Sequence, residues 1–153
     1  MNYLVVNQTD QRIPRKFVEW WMEESFKVLK RVRGLRHKER LGGELVLVFL
    51  PLKEAKKLNQ EFRGKNKATD VLSFDALEPG GLGELIFSPS VIAEQARQNR
   101  WAWRYEWAYL CLHGVLHLLS YDHEQDEAEA KEMFELQDRT FDKLMRLWQT
   151  RSH

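Results

Sequence analysis

Three of the chain's five histidines fall within eleven residues, His113, His117 and His123, with the spacing H-x3-H-x5-H. On an α-helix, which turns by 100° per residue, residues four apart lie about 40° from each other. His113 and His117 can therefore present both imidazoles to one cation. A third ligand six residues further on must come from chain that has turned back. Two ligands from a helix and one from the turn beyond it leave a fourth position open, the arrangement of a catalytic zinc site.

The same spacing occurs in the H-E-x-x-H-x-x-G-x-x-H motif of metzincin peptidases. Here Gly114 stands where those enzymes carry a catalytic Glu, and Ser120 stands at their turn glycine. In a zinc peptidase that Glu takes a proton from water and passes it to the leaving amine. Gly114 can do neither, which disfavours peptide hydrolysis of that kind. Zinc would still bring the pKa of bound water to about 7, enough for ester or phosphodiester chemistry with a different helper. A left-handed Ser120 would cost roughly 1–2 kcal/mol. Asp122 has three readings: a cap for a helix beginning near Glu124, which we prefer, an acceptor orienting a ligand imidazole, or, least favoured, a direct fourth ligand.

The elements that must hold these residues follow from periodicity. Tyr3 to Asn7 reads as a strand, and Pro14 opens a helix whose apolar residues run from Phe17 to Val32. Glu44 to Leu50 is a strongly apolar strand and Pro51 to about Phe62 an amphipathic helix. Thr69 to Phe74 and Gly83 to Ser88 read as two strands able to pair as a hairpin. Pro89 to about Arg100, Arg104 to Leu119 and Glu124 to Trp148 are helices. The order βαβαββααα predicts one α+β (α/β-like) domain over residues 1–153, with a central mixed sheet of about four strands and five or six helices.

The chain has 153 residues, 43% hydrophobic and 31% charged, with a net charge of +1. No global field draws in nucleic acid, so any attraction must be local. Lys30 to Arg40 holds six Lys/Arg against one Glu. It is either a solvated loop or a phosphate-contacting surface. Together with Lys53 to Lys67 it brings twelve basic residues into two segments, while acidic residues gather after His123. Cys111, the lone cysteine, has no intrachain partner, which points to a reducing, cytoplasmic setting. It lies about 200° around the helix from His113 and is expected to be packed, not ligating. Neither a secretion signal nor a membrane span is expected.

Residues 113–123, HGVLHLLSYDH, resemble the H-G-x-L-H-L-x-G-Y-D-H signature of the YbeY family, metal-dependent endoribonucleases of rRNA maturation, with Ser120 for Gly the one departure. Two further blocks carry the resemblance. Arg63 to Phe74 matches R-G-x-x-x-x-T-D-V-L-S-F, and Leu82 to Ser88 matches a strand in which the family often has Asp at the position of Glu84. The resemblance implies one zinc ion per chain held by His113, His117 and His123. It implies cleavage of single-stranded RNA, 16S rRNA 3′-end maturation and ribosome quality control, with the small ribosomal subunit as partner. It also implies a metal at one end of a cleft and a catalytic Arg63. A guanidinium can hold two phosphate oxygens and stabilise charge that develops during phosphodiester cleavage. Lys65 and Lys67 would extend that rim, and Asp70 would either bind a ligand histidine or buttress its strand. Trp101 and Trp103 are expected to pack in the core, with base stacking as the other reading.

Two other readings remain in view. One is a zinc-stabilised RNA-binding assembly factor without nuclease activity, suggested by the absence of a Glu at position 114. The other is a metal-dependent hydrolase of a small ester or amide, whose activity would not depend on Arg63.

Overall fold

The structure, a computed structural model, describes residues 2–63 and 71–151, with Arg63 described by its backbone alone. The elements are β1 (Tyr3–Asn7), α1 (Arg15–Lys30), a short 3-10 helix (Lys38–Gly42), β2 (Leu45–Phe49), α2 (Leu52–Arg63), β3 (Val71–Asp75), β4 (Gly83–Phe87), α3 (Pro89–Asn99), α4 (Trp103–Leu118) and α5 (Glu127–Thr150). The order matches the expectation, apart from the 3-10 helix inside the basic connector.

The four strands form one mixed sheet in the order β1-β2-β4-β3. β1 and β2 are parallel, β2 and β4 are parallel, and β3 returns antiparallel to β4 as the expected hairpin. Alternation along the strands sorts the side chains onto two faces. Leu45, Leu47, Phe49, Leu85 and Phe87 face the main core with residues of α1, α4 and α5. Val48, Leu50, Leu72 and Ile86 face the other way, with Leu58 of α2 against them. The fold is therefore α+β, with helices on both sides of one sheet.

α4 occupies the middle. Its buried residues, from Trp107 and Ala108 to Leu116 and Leu118, lie all around its axis, as befits a helix enclosed by protein. Cys111 is among them, with its sulfur 3.8 Å from Met22 Sδ. Burial pushes its thiol pKa up, so it stays an inert packing residue, as expected. Gly114 faces the sheet: a Cβ there would lie 2.7 Å from Leu85 Cδ2 and 3.3 Å from Val71 Cγ2. That position is used for close helix–sheet approach and has no room for a Glu.

The tryptophans of the α3–α4 connection pack as expected. Trp101 Nε1 donates to Glu106 Oε1 at 2.9 Å, and Trp103 Nε1 donates to the Pro89 carbonyl at 3.1 Å. Both rings are partly buried against the core. Among the described residues, no helix is long and apolar enough to cross a membrane.

Candidate metal centre

α4 must stop soon after His117 if His123 is to return to it. It stops in a Schellman turn. Ser120 N–H donates to the His117 carbonyl at 2.9 Å and Tyr121 N–H to the Leu116 carbonyl at 3.0 Å. Ser120 takes the left-handed conformation, φ 71°. The roughly 1–2 kcal/mol this costs a residue with a Cβ is offset by contacts from the basic connector. Arg40 Nη1 donates to the Leu118 carbonyl at 3.0 Å and to Ser120 Oγ at 3.4 Å. Arg36 Nη1 donates to the Ser120 carbonyl at 3.2 Å.

Beyond the turn the chain runs through Asp122, His123 and Glu124 before α5 begins. Asp126, not Asp122, caps α5, its carboxylate accepting from Ala128 N–H at 2.9 Å. Asp122 instead closes a tight local turn by accepting from Glu124 N–H at 3.0 Å. That bond and one to His123 N–H hold its carboxyl below the usual carboxylate range, helped by the two nearby imidazoles. The preference for Asp122 as the helix cap is thus corrected. Residues 121–126 stay non-helical, and His123 lies within them.

The three imidazoles converge. Ring centroids are 4.6 Å apart for His113 and His117, 5.0 Å for His113 and His123, and 5.2 Å for His117 and His123. One ligand atom from each lies within 4.8 Å of the others. The rings are half-buried at an open cleft of about 890 Å³, walled by β3, the end of α4 and α5. Phe134 stands beside them, 6.0 Å from His113 and 5.4 Å from His123 between ring centroids.

Proton positions decide what this cluster suits. His113 Nδ1 is 2.9 Å from Gln137 Oε1, and the Gln137 amide nitrogen is committed to the Tyr109 carbonyl at 3.3 Å. The amide oxygen can only accept, so Nδ1 carries the proton. The Nε2 atoms of His113 and His117 face each other 3.0 Å apart. Zn–N bonds of 2.0–2.1 Å in a tetrahedron set ligand nitrogens about 3.3 Å apart, close to this separation. Burial, and then the neighbouring His123, lower the pKa of His117, which favours the neutral, ligating form. The three imidazoles therefore fit a zinc ion, with Gln137 as an outer partner holding the His113 ring.

Gln137 has no place in the sequence-based reading. It is fully buried on the inner stripe of α5, between Met133 and Phe141. A polar residue at that apolar spacing is the signal that could have identified it. Arg63 ends α2; its side chain, with Lys65, Lys67 and Asp70, lies outside the described residues. Phe62 and Val71, on either side of that segment, both line the cleft.

Comparison with known proteins agrees with this geometry. The model of the family described as endoribonuclease YbeY matches residues 4–145. An endoribonuclease YbeY of Bdellovibrio bacteriovorus is 50% identical over 146 residues, 95% of this chain and 97% of that one. Another, from Persephonella marina, is 34% identical over 152 residues, 94% of each chain. The solution structure of a Thermotoga maritima protein superposes with a TM-score of 0.67 at 29% identity, covering 98% of this chain and 93% of that one. With the family model matching residues 4–145 and a relative 50% identical over 95% of the chain, the chain belongs to the YbeY family.

Proposed function

We propose that residues 1–153 act as one metallohydrolase domain, a zinc-dependent, single-strand-specific endoribonuclease of the cytoplasm that works in 16S rRNA 3′-end maturation and ribosome quality control. Membership of a family named for endoribonuclease activity supports the reaction class. The observation that supports the metal requirement is the convergence of the three imidazoles, one ligand atom from each within 4.8 Å of the others.

In this reading His113, His117 and His123 hold one zinc ion. Gln137 keeps His113 in the ligating tautomer. Bound there, zinc supplies a Lewis acid for the phosphoryl oxygen and activates water. Arg63 contacts the scissile phosphate and offsets charge that develops on it. Lys65 and Lys67 hold flanking phosphates. Their assignment rests on the family resemblance and on the cleft-lining residues at both ends of the segment.

The test is cleavage of a defined single-stranded 16S rRNA 3′ fragment by zinc-replete protein, with the new ends mapped. About one zinc per chain is expected, with cleavage lost in His113→Ala and His117→Ala. Cleavage by those variants at the parent rate would refute metal catalysis. RNA binding without products under any condition would leave a non-cleaving assembly factor.

A further inference from the structure

Arg36 and Arg40 belong to the basic connector, where phosphate contact was one expectation, yet both are engaged with protein. Leu35 and Leu41, each buried, pin this connector to the core on either side of them. Besides the Ser120 carbonyl, Arg36 reaches Glu129 Oε1 at 2.8 Å and Glu132 Oε2 at 3.2 Å. Its guanidinium lies 4.6 Å over the Tyr121 ring, and its backbone N–H donates to the Tyr121 hydroxyl at 3.1 Å. Arg40 binds the Leu118 carbonyl and Ser120 Oγ.

These contacts all fall on the turn between His117 and His123 or on the first part of α5. The turn links the clamp to the site, because Ser120 N–H donates to the His117 carbonyl at 2.9 Å. The turn also sets where His123 enters. We propose that Arg36 and Arg40 are positioning residues for the metal centre, fixing the relative placement of His117 and His123, and are not RNA-contacting residues. The inference rests on the zinc reading above.

The experiment compares the parent with an Arg36→Ala/Arg40→Ala double variant, measuring zinc affinity by chelator competition and the visible spectrum of the cobalt-loaded protein. The double variant is expected to bind zinc about 10–100-fold more weakly, the loss seen when outer partners of ligands are removed, with an altered cobalt spectrum. Arg40→Lys, which keeps a donor for the Leu118 carbonyl, should bind more tightly than Arg40→Ala. Parent-like affinity in a folded double variant overturns the proposal. Should the double variant not fold, the single variants Arg36→Ala and Arg40→Ala each remove one half of the clamp. Weakened zinc binding in either supports the clamp, and unchanged binding in both overturns it. A second arm follows RNA affinity against salt. The double variant should keep the parent's slope. A slope shallower by about 0.7–1.4, the change expected on a single strand when one or two phosphate contacts go, overturns the assignment. If the parent itself binds no zinc, the metal reading fails and the clamp with it.

Discussion

Gln137 accepts a hydrogen bond from His113 Nδ1 across the seam between α5 and α4, at 2.9 Å. Replacing it with Leu keeps the volume and removes the acceptor, freeing the ring to rotate and to change tautomer. Gln137→Leu should lower zinc affinity about 10–100-fold and leave the far-UV circular dichroism of the metal-free protein unchanged. Competition with a chromophoric chelator measures the first effect.

The lowered pKa of His117 gives a pH dependence. Its folded-state pKa lies below the ordinary 6.5, so the unfolded chain binds the proton more readily than the folded one. Linkage then makes the metal-free protein lose stability as pH falls from about 6.5 through the depressed folded value. Above about 6.5 this residue contributes no pH dependence. Urea midpoints of metal-free protein should fall over that window, with a smaller fall in His117→Asn. A flat profile in the parent would contradict the assignment.

Gly83 begins β4 at φ 149°, and an added Cβ would collide with the Phe74 carbonyl oxygen and lie 2.8 Å from Leu118 Cδ2. The first neighbour is backbone of the paired strand and cannot yield cheaply. Gly83→Ala should cost about 1–3 kcal/mol, the usual penalty for overpacking. Gly42, with nothing within 4 Å of its Cβ direction, is the control. Gly42→Ala should stay within about 0.5 kcal/mol of the parent. Chemical denaturation of the metal-free proteins compares the two.

Trp101 shares the buried Glu106 carboxylate with Asn99. Trp101→Phe keeps the ring against Phe141 and removes the indole donor. A loss of about 1–3 kcal/mol in stability follows from leaving that buried acceptor short of a partner. Affinity for single-stranded RNA should not change. Weaker RNA binding with unaltered stability would restore the stacking reading.

The triad was readable because helical periodicity and the change of spacing after His117 are local properties. The strands were readable because both faces of the sheet are covered, leaving runs such as Leu45–Phe49 apolar throughout. The 3-10 helix at Lys38–Gly42 was not, since it owes its position to Leu41 in the core and not to its own propensity. The start of α5 was misplaced because Asp122 and Asp126 are equally good caps on paper. Arg36 and Arg40 read as members of a charge run until their partners, some eighty to ninety residues away, were visible.

The enclosure of α4 bears on what the ion does for the protein. Two of the three ligands sit on a helix wedged between the sheet and its helical neighbours, so their backbone positions are set by the main core. Small zinc modules behave otherwise, since without metal they have too little core to fold. Stripping this protein with a chelator should therefore abolish catalysis while the metal-free chain still melts cooperatively. Re-addition should restore activity at the rate of ion binding, without a refolding delay. The ion would then be an exchangeable reagent seated in a finished frame, and the cell's metal supply could set the enzyme's output without changing its abundance.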